Sequence, residues 1–146
     1  VKDLQIAGGD LILSGGELGL VDGAAYIRQR LATALAEPYG ADPFEPTWGS
    51  TLETYLGAPV TSGTDALVAS EVSRVLARLI AAQRAMVTSW QLTGSRSQLL
   101  ASDVIATVNS VNAIISPDPE MIIVSVSLTT MGGQQVSLSR TVALVT

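Results

Sequence analysis

The sequence predicts an α+β fold: an N-terminal β-hairpin, amphipathic helices including one long spine helix, and a C-terminal antiparallel meander. Three observations predict it. Asp3 to Gly23 alternates short apolar runs with glycine pairs. From Asp22 to Trp90 the apolar residues recur at helical spacing. After the polar break QLTGSRSQ, Gln91 to Gln98, the apolar period drops to two. Helices first and strands last is the segregation that marks α+β chains. The 146 residues fit a single domain, 1–146, large enough to bury a core without disulfide staples. No internal repeat and no long linker is read.

Taken in order, Ser14-Gly15-Gly16 between DLIL and ELGLV is a hairpin signal, because glycine supplies the positive φ of tight turns. Gly8-Gly9 marks an earlier bend. Asp22 reads as the N-cap of a helix whose buried face is Ile27, Leu31, Ala34 and Leu35, with Arg28, Gln29 and Arg30 mostly off it. Pro38 ends that helix. Ser50 and Glu53 read as a capping box for a short helix with Leu52, Tyr55 and Leu56 on its apolar side, stopped by Gly57 and Pro59. The spine helix starts after Gly63-Thr64, with Val68, Val72, Val75, Leu76, Leu79 and Met86 as its core stripe. Glu71, Arg74 and Arg78 are spaced to pair on its polar side.

DVIATVNSVNAIIS reads as a strand whose alternation slips at Asn109–Asn112, and Ser116 to Pro119 as a turn. MIIVSVSLTT places Ile122, Val124, Val126 and Leu128 on one face. QVSLSRTVALV places Val136, Leu138, Val142 and Leu144 on one face, after a turn at Met131 to Gln134.

Composition narrows the chemistry. The chain has neither cysteine nor histidine, so thiolate metal sites and the commonest general base are excluded. No cofactor is expected. Net charge is −5 with no basic stripe, which argues against nucleic acid, and no apolar run approaches a membrane span. Starting at Val1 without a signal pattern, the chain reads as made in a cytoplasm. Charged residues are only 14% of the chain, against about 25% in ordinary domains. Either a compact, Ala/Ser/Thr-rich domain or a surface largely covered by protein neighbours fits that value.

The stretch EPYGADPFEPTWGSTLETYLG, Glu37 to Gly57, is the densest in unusual residues. Its carboxylates Glu37, Asp42, Glu45 and Glu53 invite a glycoside-hydrolase reading, since two carboxylates about 5–10 Å apart suffice for that chemistry. Caps and turns account for the same residues. Its aromatics Tyr39, Phe44, Trp48 and Tyr55 fit loop packing or a partner-docking face. The last strand is the stronger signal. It carries one charge, Arg140, and no proline, so as an edge it offers unpaired backbone groups to a partner strand. Val136, Leu138, Arg140, Val142 and Leu144 mark that acceptor strand.

Gly9, Asp10, Leu11, Gln29, Gly40, Pro46, Trp48, Gly49, Ser50, Leu52, Leu56 and Gly57 together resemble the baseplate wedge or sheath-initiator family of contractile phage tails and related injection systems, often described as lysozyme-like. Many members carry Glu-Pro-Arg where the long helix ends; this chain has SWQLTGSRSQ, with Arg96 in the place of the basic residue. The resemblance implies a non-enzymatic virion protein, several copies of which form a ring in the tail baseplate. It would join other wedge proteins around the tube or hub and nucleate the sheath protein by strand exchange on its C-terminal sheet. A peptidoglycan hydrolase and a tail adaptor in a sheathless particle are the alternatives.

Overall fold

The computed structural model describes residues 3–7, 10–55, 59–94, 99–116 and 121–143; the side chains of Val142 and Ala143 are also outside the described set. The architecture is α+β, as the sequence predicts. Six two-residue strands open the chain: β1 (Asp3–Leu4), β2 (Ile6–Ala7), β3 (Asp10–Leu11), β4 (Leu13–Ser14), β5 (Glu17–Leu18) and β6 (Leu20–Val21). Helices α1 (Gly23–Ala36) and α2 (Thr64–Thr93) come next, and then strands β7 (Ile105–Ile115), β8 (Met121–Thr130) and β9 (Gln135–Ala143).

The N-terminal segment departs from the reading of one hairpin without repeats. The expected β4–β5 hairpin is present, with φ of +63° and +88° at Gly15 and Gly16. It is one arm of three. β2 pairs with β3 and β1 with β6, all antiparallel. The three arms meet in a cyclic set of hydrogen bonds: Gln5 N–H to Gly19 C=O (2.8 Å), Gly19 N–H to Ile12 C=O (2.7 Å), Ile12 N–H to Gln5 C=O (2.9 Å). Residues 5, 12 and 19 are seven apart. Three seven-residue copies produce the pattern, DLQIAGG, DLILSGG and ELGLVDG. The repeat escapes a reading for helices and strands because each copy yields only two-residue strands. Gly19 sits closely at the junction, where a Cβ would press on Ile12 O at 3.2 Å and on the Gln5 side chain.

Helix α1 buries the predicted face, Ile27, Leu31, Ala34 and Leu35, and also Tyr26. Its capping differs from expectation. Asp22 holds the N-cap position but makes no side-chain cap bond. The Gly23 N–H donates instead to Asp103 Oδ1 at 2.7 Å, from eighty residues away, and the Leu100 N–H donates to Asp103 Oδ2 at 2.9 Å. Burial opposes ionisation of Asp103. The hydrogen bonds it accepts, these two among them, nonetheless hold it below the ordinary carboxylate range.

The α2 stripe is buried from Val68 to Leu79. Met86 is not part of it. It turns towards the elbow, borders an open hollow beside Trp48 and Ala82, and is 42% exposed. Gln83 takes the next core position. Its amide donates to Asp103 C=O (2.9 Å) and accepts from Ile105 N–H (3.0 Å), closing the backbone that leads into β7. Gln29 does the same at the other end of the chain, donating to Leu4 C=O (2.7 Å) and accepting from Ile6 N–H (2.9 Å). Each glutamine imitates a neighbouring strand, giving buried or crowded backbone groups the partners they need.

The sheet order is β7-β8-β9, all antiparallel. Ile122, Val124, Val126, Leu128 and Thr130 of β8 are buried against the helices. β7 carries two register shifts: one between Val108 and Ser110 leaves Asn109, the first residue of the predicted irregular stretch, as the extra residue, and a second lies earlier, between Ile105 and Thr107. Leu56, Gly57 and the turn at Pro117 to Pro119 lie outside the described residues.

Candidate functional site: the outer edge of the last strand

β9 pairs with β8 over nine consecutive positions, from Gln135 opposite Thr129 to Ala143 opposite Met121, without a register break. The Thr130 N–H donates to Gln134 C=O at 2.9 Å, and this sets the phase of the ladder. Backbone groups of Val136, Leu138, Arg140 and Val142 turn towards β8. Those of Gln135, Ser137, Ser139 and Thr141 turn away from it. The residues named from the sequence therefore supply the inward side chains of the strand, and their alternates carry the outward backbone. Val136 is buried at 2% exposure, Leu138 is half-buried, and Arg140 donates to Ala32 C=O of α1 at 2.8 Å. The Val142 side chain and all of Leu144 lie outside the described residues.

The two edges of the sheet differ. β7 is bulged, and Gln83 holds its first amide. Bulges blunt an edge against pairing. β9 is regular and lacks proline and lysine. Among the described residues one device covers it: Arg28 of α1 donates from Nε to Ser137 C=O at 3.0 Å. Alongside lies a groove of about 780 Å³ between β9, α1 and the N-terminal arms, bordered by Gln5, Ile6, Ala25, Arg28, Leu138 and Arg140. Its β9 wall is formed by Leu138 and Arg140, and small residues of α1, Ala25, Ala32 and Ala36, line the other side.

The elbow between α1 and α2 is built on backbone bonds and arginines. Ser50 N–H donates to Glu37 C=O (2.8 Å), Tyr39 N–H to Ser50 C=O (2.9 Å), and Gly40 N–H to Trp48 C=O (3.0 Å). Only half of the expected capping box forms: Ser50 Oγ accepts the Leu52 N–H at 3.4 Å, but the reciprocal Glu53 bond does not. The Ser50 N–H that Glu53 would have taken is already used, and Ser50 Oγ donates to Leu35 C=O at 2.7 Å. The short helix is a single 3-10 turn, Leu52–Tyr55. Gly49 sits at φ +92°, where a Cβ would lie 2.5 Å from Pro38 O.

Arg74 clamps the elbow to α2. It binds both oxygens of Glu71 (2.9 and 2.7 Å), donates to Gly49 C=O (2.8 Å), and lies over the Tyr39 ring at 4.8 Å. Glu71 also accepts the Thr51 N–H at 2.7 Å. The Arg74 hydrogen bond, which outweighs burial, holds the Glu71 carboxyl below its ordinary range, and the same contact raises Arg74. Arg78 does not join this pair; it ion-pairs with Glu45. The guanidinium groups of Arg30 and Arg78 lie 5.8 and 5.9 Å from the centre of the Trp48 ring. Phe44 is 92% exposed, and Tyr55 packs at the rim of the core. Arg96 lies outside the described residues.

Glu37, Asp42 and Glu45 border one hollow of about 330 Å³ with Arg30 and Trp48. Glu53 does not border it. The sequence reading missed Arg28, Gln83 and Asp103. For Gln83 the signal was present, because it falls four residues after Leu79 on the core stripe.

No protein-family model and no curated protein matches the sequence. Among solved structures, a protein of Geobacter sulfurreducens named a "putative tail lysozyme" is similar, with a TM-score of 0.58 and 13% identity over 94% of this chain and 98% of that one. The likeness is one of fold. It spans nearly all of both chains.

Proposed function

We propose that this chain is a structural, non-enzymatic component of a contractile phage-type tail baseplate, in which the outer edge of β9 accepts a strand from the sheath protein. The observation that carries the proposal is the edge itself: nine paired positions without a break, beside a groove, covered among the described residues by one arginine. Main-chain pairing gives affinity without a distinctive side-chain signature. The shared fold with a protein named for a tail supports the setting. Low surface charge supports extensive protein neighbours. In this reading several copies form a ring around the tube or hub, the elbow meets other wedge proteins through Tyr39, Phe44 and Trp48, and the protein resides in the virion baseplate.

Ser139→Pro and Thr141→Pro test it, because each deletes an outward N–H and spares the β8 ladder. Particles carrying either variant should assemble tubes without sheath. Normal sheaths on both variants contradict the proposal. The presence of a sheath protein in the same particle separates this role from a sheathless tail adaptor.

The hollow shared by Glu37, Asp42 and Glu45 favours one second reading, a peptidoglycan hydrolase. Against it, Glu45 is held by Arg78, and hydrolysis needs one carboxyl free to give a proton. Turnover of peptidoglycan that is lost in Glu37→Gln or Glu45→Gln establishes the hydrolase; no turnover by the wild type excludes it.

A further inference from the structure

The groove beside β9 is lined by two guanidinium groups and, among the described residues, by no carboxylate. Arg28 and Arg140 both border it, and no Asp or Glu does. Among the described residues neither arginine has an ion-pair partner, whereas Arg74 and Arg78 do. Arg140 donates to Ala32 C=O through one terminal nitrogen, and Arg28 donates to Ser137 C=O through Nε. A guanidinium has five N–H donors, so most of each fork remains for a further acceptor. The chain carries 13 acidic against 8 basic residues, so two arginines without a carboxylate in one groove do not follow from an excess of cations.

We propose that the strand accepted by β9 carries Asp or Glu at two alternating positions on its α1-facing side, one for Arg140 and one for Arg28. The proposal rests on the strand-acceptor reading and adds the chemistry of the partner. Leu138 and Arg140 are inward side chains of β9 and form its wall of the groove. A residue directly opposite either of them on an added strand shares that inward face. An acid opposite Arg140 meets its guanidinium. An acid opposite Leu138 comes up beside Ser137, where Arg28 is held. The residue between the two acids faces away from α1 and carries no such requirement. Ala25, Ala32 and Ala36 of α1 line the groove, and their short side chains leave room for the carboxylates.

The exchange of partners favours an acid. A strand whose N–H takes Ser137 C=O releases Arg28 from it. A neutral strand leaves the freed guanidinium with solvent alone. A carboxylate replaces the lost carbonyl bond with a stronger, charge-assisted one. The carboxylates of the chain itself do not cancel this attraction. Asp3, opposite Val21, and Asp22, next to it, stand at the end of the groove nearest the N-terminal arms. Ala32, which Arg140 touches, is ten residues along α1 from Asp22. That is ~15 Å, more than a Debye length at physiological salt.

The test titrates the full chain with three short strand peptides that alternate Thr and Val and differ only at two same-face positions, which are Glu, Gln or Lys. Amide NMR shifts read the binding. The Glu peptide should bind roughly fivefold or more tightly than the Gln peptide, and the Lys peptide more weakly than either. Shift changes should centre on Ser137, Ser139 and Thr141, and high salt should erase the difference between Glu and Gln. Arg140→Gln should remove most of the preference for Glu while the Gln peptide still binds, which shows that the edge is folded. Arg28→Gln, at an exposed residue, should narrow the preference as well. Equal affinity of the Glu and Gln peptides at this edge overturns the acidic partner and leaves the strand acceptor standing. Shift changes at none of the three residues with any peptide overturn the strand acceptor, and this proposal with it. A preference for Glu that both variants retain places the acid elsewhere and overturns the proposal too.

Discussion

Arg28 Nε donates to the carbonyl of Ser137 at 3.0 Å, so a helix side chain closes an acceptor that the strand alternation turns outward. An incoming strand must take this carbonyl and displace the guanidinium. Arg28→Ala should therefore leave the edge more open. The expected result is concentration-dependent edge-to-edge association in sedimentation velocity, with melting stability changed by less than ~1 kcal/mol because the contact is exposed. A variant that stays as monomeric as the wild type shows that Arg28 does not guard the edge.

The Glu71–Arg74 clamp gives stability a pH dependence with a definite sign. Glu71 is held below its ordinary range when folded, so its contribution is complete above the unfolded value, ~4, and is lost as pH falls through the lower folded value. Glu71→Gln should cost ~1–2 kcal/mol at neutral pH, since the side chain keeps a polar atom near Thr51 N–H but loses the ion pair. It should also flatten the decline of stability below pH ~4. Urea titrations at several pH values measure both; an unchanged acid slope contradicts the assignment.

Gly49 should not tolerate a side chain. A Cβ there meets the Pro38 carbonyl at 2.5 Å and is forced into a left-handed conformation. Gly49→Ala is expected to cost about 3 kcal/mol or more, read as a fall in Tm with loss of the Tyr39–Arg74 contact. A near-neutral melt would mean that the elbow shifts freely.

Gln83→Met should cost about 2–4 kcal/mol, because it keeps volume while stranding Asp103 C=O and Ile105 N–H in the interior. Met86→Gln should be close to neutral, as Met86 is already exposed. Paired thermal melts compare them, and equal losses in both variants contradict the placement of the core stripe.

Gln83 and Met86 also show what the sequence could and could not tell. Periodicity located α2, its buried Val and Leu residues, the alternation of β8, and the order of elements, because these depend on local spacing. It put Met86 inside because the angle on the helix is right. Whether that angle meets the sheet or an open hollow depends on where the elbow lies. The Ser50 cap on Leu52 N–H is local and legible, whereas the cap of α1 is not, because its acceptor, the Asp103 carboxylate, lies eighty residues away. The terminal strand was legible as an unblunted strand, but the choice of outward residues needed the ladder phase set by Thr130 and Gln134. The seven-residue repeat was visible at fixed offset, yet its strands are too short for a period-two pattern to register.

The outward backbone of β9 is the proposed acceptor, and amide hydrogen exchange reads it directly. In the isolated chain the N–H groups of Ser139 and Thr141 should exchange quickly, while those of Val136 and Leu138, bonded to β8, stay protected. Addition of the sheath protein should slow Ser139 and Thr141 by at least tenfold. If the sheath protein binds and those two amides exchange as fast as before, the strand is not the acceptor.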